Sequence, residues 1–304
     1  MKKLAELFTS KKKDGNYVRE ALNDKRMSLI DVLHGYFYLR WPKQYIGGAM
    51  GKNRLSPMFD FFAKLMGADS SPERLEELKK EFADSYHGKV LPLEEASKLV
   101  TLNRTINTTI PEKILPYSKA RDIILDHPEH IALMECPCRA SVENPCKPLD
   151  VCIIIGEPFV GFVLKHHPEK SKRITAKDAV RVLEMEDARG HVHHAFFKDV
   201  MLGRFYAICN CCQCCCGAMQ ATKNGVPMLA ASGYIAVINR KKCVGCGKCI
   251  EYCPFEALNI RDKKSRVDPL KCMGCGICVN KCFKDAIKLH RNKKSSEPLE
   301  IDKL

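Results

Sequence analysis

Two stretches near the end of the chain, CVGCGKCIEYC (Cys243–Cys253) and CMGCGICVNKC (Cys272–Cys282), share one spacing, C-x2-C-x2-C-x3-C. Their cysteines recur at a constant offset of 29: Cys243/Cys272, Cys246/Cys275, Cys249/Cys278 and Cys253/Cys282. A duplication this short marks a repeated structural unit. The whole chain holds 18 cysteines in 304 residues. In a small secreted domain such a number would suggest disulfides. Here the N-terminal MKKLAELFTSKKKDG lacks the run of about 7–15 apolar residues that a secretory leader needs. Its apolar stretch, Leu4 to Phe8, is broken by Glu6. The expectation is a reducing cytoplasm in which the cysteines ligate metal.

The repeat resembles the bacterial-type two-cluster ferredoxin, a likeness that covers about the last quarter of the chain. In that family three thiolates from one tight loop and a fourth from the other half hold each [4Fe-4S] cubane. The resemblance implies one cluster on Cys243, Cys246, Cys249 and Cys282, and a second on Cys272, Cys275, Cys278 and Cys253. Gly245, Gly247, Gly274 and Gly276 would let backbone amides approach the inorganic sulfides. Val244, Ile250, Phe255, Ile277, Val279 and Phe283 are expected to form a dry shell. One departure stands out: Cys253 is followed by Pro254, but Cys282 by Phe283, which removes a turn preference and no ligand.

Ten cysteines lie upstream. Cys136, Cys138, Cys146 and Cys152 fall in ECPCRASVENPCKPLDVC, between two expected strands. Their spacing is not that of a zinc finger, and four thiols on one loop suit a further cubane, with structural zinc as the alternative. Six more crowd YAICNCCQCCCG, as Cys209, Cys211, Cys212, Cys214, Cys215 and Cys216. If Cys211 onward were helical, neighbouring cysteines could not all face one small cluster. Cys209, Cys211 and Cys212 are therefore expected to complete the site begun by the Cys136–Cys152 loop. Cys214, Cys215 and Cys216 are left as a further cluster, a redox-active set or packing. GHVHHAFF adds histidines, and strand alternation puts His191 and His193 on one side and His194 on the other. His191, His193, Cys214 and Cys215 are the candidate catalytic residues. The combination C-P-C-R, N-P-C-x-P-L-D-V-C, G-H-V-H-H and I-C-N-C-C-x-C-C-C-G ahead of the repeat is similar to anaerobe 4Fe-4S dicluster-domain proteins. It implies a redox iron–sulfur protein of an anaerobic cytoplasm and names no reaction.

The expected fold class is α+β multidomain: a helical docking region over residues 1–115, a cysteine-rich α/β domain over 116–233 and the ferredoxin unit over 234–304. Ser71-Pro72-Glu73 reads as a helix start, and Pro92 opens a second amphipathic run. SKARDIILDH reads as a helix stopped before Pro128. HIALMEC, DVCIII, HVHHAFF and RFYAIC read as strands, and Thr175 caps a helix ended by Gly190. SLIDVLHGYFYLRW (Ser28 to Trp41) is too interrupted to span a bilayer. It reads as a core helix, with peripheral contact to a membrane or partner left open.

The formal net charge is +14. No helix-turn-helix, zinc-finger or RNP pattern accompanies it, so nucleic acid is not expected as a partner. Between Tyr234 and Arg291 thirteen Lys/Arg face five acids, a net +8 before any cluster contributes. Such a surface suits a redox partner with an acidic docking face. No G-x-G-x-x-G dinucleotide fingerprint is present. The expected function is electron transfer through the two ferredoxin cubanes and one or two central clusters, as a protein or as a subunit of an oxidoreductase. The rival is a redox enzyme with an active-site cluster or reactive thiols in the centre, fed by the ferredoxin end.

Overall fold

The computed structural model describes residues 17–304 apart from positions 70 and 120. The N-terminal leader reading, on residues 1–15, therefore lies outside the described residues. Strands β1 (Tyr86–Leu91), β2 (Ile106–Thr109), β3 (Asp122–Glu135), β4 (Asp150–Glu157), β5 (Ser171–Ile174), β6 (Val192–Lys198), β7 (Arg204–Cys211) and β8 (Leu229–Ala230) build one sheet. Its order is β2-β3-β4-β7-β6-β1-β8, with β5 also on β3. Most neighbours are antiparallel, and β8 runs parallel to β1. Every residue of β6 is buried, as is the interior of β4, so both faces of the sheet are covered.

Helices α1 (Tyr17–Asn23), α2 (Leu29–Arg40), α3 (Pro42–Ala49), α4 (Ser56–Leu65), α5 (Pro72–Ser85), α6 (Leu93–Val100), α7 (Pro137–Ala140), α8 (Phe159–His166), α9 (Ala176–Ala188) and α10 (Gly217–Lys223) surround the sheet. Helix α8 packs on β3 and β4 and against α2, while α9 packs against α6, β3, β4 and β6. Ser71 and Thr175 cap α5 and α9 as their side chains suggest, each accepting a backbone N–H from the third residue on.

Three readings need correction. The first 115 residues are not helical throughout, because β1 and β2 belong to the sheet and β1 lies between β6 and β8. The stretch 118–127 is not a helix. Asp122–His127 opens β3, with Ile123 and Leu125 buried and antiparallel to β2. Pro128 does not end that strand; the register against β4 shifts between Asp126 and Ile131, where His127 takes a positive φ of 57°. Third, Ser28 caps α2 with a capping box, but only part of that helix is core. Val32, Tyr38 and Leu39 are buried, whereas Leu29, Ile30 and Leu33 are exposed. Among the described residues no helix is long and apolar enough to cross a membrane.

The ferredoxin-type segment forms two two-stranded antiparallel sheets, β9 (Tyr234–Ile238) with β12 (Ile287–Arg291) and the hairpin of β10 (Leu258–Arg261) with β11 (Lys264–Val267). Helices α11 (Lys248–Glu251) and α12 (Ile277–Asn280) complete it, 29 residues apart like the cysteines. The protein thus combines helices and sheets in an α+β fold.

Candidate metal centres

Each half of the C-terminal repeat is bent by two left-handed glycines. Gly245 and Gly247 take φ of 71° and 80°, and Gly274 and Gly276 take 66° and 87°. Their uses differ. A Cβ on Gly245 would lie 2.2 Å from the Lys263 carbonyl oxygen, and one on Gly274 would lie 2.1 Å from that of Tyr234. The first glycine of each pair therefore permits backbone to approach backbone. Gly247 has open space and serves as the left-handed residue before α11.

Cys253, Cys272, Cys275 and Cys278 line one cavity, bringing a thiol of the first half among three of the second. Amide N–H groups reach the sulfurs in matching positions: Ala257 to Cys253 and Ala286 to Cys282, both at 3.3 Å. Burial works against the Cys243 thiolate, but the amides of Ser265 and Gly245 outweigh it and hold the thiol below its usual range. At Cys275 burial outweighs the Ile277 amide and pushes the thiol up to about 12. A metal must displace that proton, and its binding then couples to pH. The dry shell matches expectation in part. Phe255 and Ile277 line the cavity beside Ala236 and Leu258, and Ile250 and Val279 pack against the small core there. Val244 and Phe283 are 54% and 67% exposed, so they take no part.

The ten central cysteines separate into two sets that cut across the sequence grouping. Cys136, Cys138, Cys152, Cys209, Cys211 and Cys216 line a chamber of about 70 Å³. Cys211 and Cys216 are 3.2 Å apart at Sγ, and Cys152 and Cys209 4.0 Å. Strand alternation carries this arrangement, because Cys209 and Cys211 share one face of β7. Pro137 starts α7 and sets Cys136 and Cys138 on either side of itself. The helical reading from Cys211 onward fails: β7 ends at Cys211, a turn follows, and α10 starts at Gly217 with Cys216 as its N-cap. That turn leads Cys212, Cys214 and Cys215 away to Cys146, and these four sulfurs lie within 4.8 Å of one another. Cys146 and Cys212 therefore leave the expected central set, and Cys216 enters it.

Three tyrosines close the chamber. The Tyr38 hydroxyl is 2.7 Å from that of Tyr206 and 3.3 Å from that of Tyr86. Burial drives all three phenols above their usual range. The Lys198 ammonium lies 4.4 Å above the Tyr86 ring, and burial pushes it down to about 8. Tyr38 and Ile46 come from α2 and α3, so the N-terminal helices roof the thiols. Sequence reading missed these tyrosines, since no short-range pattern links positions on α2, β1 and β7.

The histidines are placed as alternation requires, but their roles shift. His194 stands opposite Cys209 in the β6–β7 ladder, on the thiol side of the sheet. His193 pairs through Nδ1 with Asn210 Oδ1 of β7 at 2.6 Å, and its Nε2 is 3.9 Å from Asp187 Oδ1 of α9. His191 Nδ1 lies 2.6 Å from Glu186 Oε2. Neither His191 nor His193 lines the chamber. Arg139, only 1% exposed, donates to Glu186 at 2.7 Å, to the Asn210 carbonyl at 3.0 Å and to the Pro148 carbonyl. Burial disfavours the Glu186 carboxylate, but His191 and Arg139 outweigh it and keep it below its usual range. This clamp fixes the cysteine loop to the end of β7.

Eight thiols in register, four of them around one cavity, define a two-cluster ferredoxin-like domain at the C-terminus. Comparison with known proteins agrees. The 4Fe-4S dicluster domain family matches residues 235–283. Ferredoxin-2 of Desulfomicrobium norvegicum is 36% identical over 33 residues, which is 11% of this chain and 56% of that ferredoxin. The chain thus spans little more than half the length of that relative. No solved structure matches the chain.

Proposed function

We propose that this protein passes single electrons between its two ferredoxin cubanes and a further cluster in the six-thiol chamber, alone or as a subunit of a cytoplasmic oxidoreductase of an anaerobe. The observation that carries the reading is the seating of the second ferredoxin cavity on the central sheet. Cys275 and Ile277 share one continuous core with Cys136, Cys152, Cys211 and Cys216. Asn280, just past Cys278, donates to Asp187 at 2.7 Å, and Asp187 neighbours His193, which pairs with Asn210 between Cys209 and Cys211. A row of buried polar groups, with a 3.9 Å gap between Asp187 Oδ1 and His193 Nε2, thus lies between the two thiol-bearing regions. The ligand sets are Cys243, Cys246, Cys249 and Cys282, then Cys272, Cys275, Cys278 and Cys253. The surplus of lysine and arginine around them suits a partner with an acidic face. Apolar side chains left exposed on α2 and α4, such as Ile30, Leu33, Phe61 and Leu65, support a docking role for the N-terminal helices.

An enzymatic reading has its own support. The chamber holds two thiols more than one cubane uses, beside three phenols and a buried lysine. Iron counting and redox-titrated EPR of anaerobically prepared protein test the first reading. Each cubane contributes about four irons, so about twelve are expected from three clusters. Cys152→Ser/Cys209→Ser should remove about four and one EPR signal, sparing the ferredoxin signals. Wild-type protein with about eight irons would overturn the central cluster. A change in one cluster signal on adding cyanide would favour the enzyme.

A further inference from the structure

The second central set has a geometry unlike any other group of thiols in the protein. Cys146 Sγ is 3.0 Å from Cys214 Sγ, and Cys214 Sγ is 3.6 Å from Cys215 Sγ. With Cys212 the four sulfurs fit within 4.8 Å. A tetrahedral ion with metal–sulfur bonds of about 2.3 Å holds its four sulfurs about 3.8 Å apart. A cubane spreads its thiolates over four separate irons and needs a wider set. The protein supplies its own comparison: among the described residues, neither the ferredoxin thiols nor the chamber thiols form such a tight group.

From this we infer that Cys146, Cys212, Cys214 and Cys215 bind one tetrahedral thiophilic metal ion, zinc or iron, as a site separate from every cluster. Thiolate-only ligation selects these ions over hard cations. The surroundings suit thiolates. The Cys146 amide points to the Cys215 sulfur, the Cys215 amide to that of Cys212, and the charge of Arg139 favours the Cys212 thiolate. The ion ties Cys146 to Cys214, 68 residues away in the chain. It also explains the dense motif. Within Cys211-Cys212 and Cys215-Cys216, one sulfur of each pair goes to the chamber and the other to the ion. The ion thereby fixes the turn that presents Cys211 and Cys216 to the chamber. This inference concerns a different set of thiols from the electron-transfer reading and survives its failure.

The test uses the full chain prepared anaerobically from zinc- and iron-replete medium. Elemental analysis should show that Cys146→Ser/Cys214→Ser loses one metal atom per chain, with the ferredoxin EPR signals intact as the check on folding. Cys152→Ser/Cys209→Ser should keep that atom. X-ray absorption then identifies it, with four sulfur neighbours at about 2.3 Å at the zinc edge, or a high-spin tetrathiolate signal by EPR if it is iron. Either ion supports the site. Loss of about four irons in the first variant would mean a cubane and overturn the inference. Retention of every metal atom by that variant, or by Cys214→Ser alone at its exposed position, would overturn it as well.

Discussion

Adding one methyl group at Gly245 and, separately, at Gly247 asks what the repeat's glycines are for. Both residues sit in the left-handed region, with φ of 71° and 80°. An alanine there costs about 1–2 kcal/mol at either position. The surroundings then set them apart. At Gly247 the new Cβ meets nothing within 4 Å, so the strain is the whole effect. At Gly245 it would lie 2.2 Å from the Lys263 carbonyl oxygen and 3.0 Å from its carbon. Neither is a flexible side chain, so the β10–β11 hairpin must retreat by about 1 Å to restore ordinary contact. That retreat pulls on Ser265, whose amide reaches the Cys243 sulfur at 3.5 Å. The expected total for Gly245→Ala is about 3–5 kcal/mol, in the range that marks a defined structural clash. Guanidinium titration of the reconstituted protein, followed by cluster absorbance under argon, reads both variants. The reasoning is refuted if the two midpoints coincide, because strain alone would then account for both.

Other perturbations follow from the same packing. Glu186→Gln leaves the Arg139 charge buried without its carboxylate partner, and should cost about 3–5 kcal/mol in chemical denaturation. His34 is held down to about 4 by burial and by Lys198, below its usual 6.5. Its folded form binds fewer protons than its unfolded form. The stability it contributes is complete above pH 6.5 and is lost as the pH falls towards about 4. Unfolding midpoints measured across that window should show a shallower slope in His34→Gln. Chelation of iron under reducing conditions should strip amide-exchange protection from residues 234–291 before the central sheet. The reason is that the separate small core there is made of a few apolar side chains interleaved with five of the expected ligand cysteines.

The local signals in the chain were sufficient wherever one short segment carries its own geometry. The offset of 29 between cysteines reappears in α11 and α12 and in the paired amide contacts to Cys253 and Cys282. Thr175 and Asp178 make the capping box their spacing announces. Alternation likewise separated His193 from His194, though not which of them would share a face with the thiols. Local reading failed where a neighbour overrides propensity. Asp122–His127 looks helical in isolation, yet pairing with β2 and burial of Ile123 and Leu125 make it a strand.

The central cysteines mark the boundary between what sequence and tertiary structure decide. Sequence alone raised the expectation that six thiols within eight residues would not serve one site, although the helical geometry behind it does not hold. It could not say which sulfur goes where. That depends on β7 ending at Cys211, on a turn that reverses the chain before α10, and on Pro137 splitting Cys136 from Cys138. Only the assembled sheet brings Cys152 and Cys209 to one chamber and Cys146 to Cys214 outside it. These partners are separated by 57 and 68 residues, and spacing along the chain carries no information at that range.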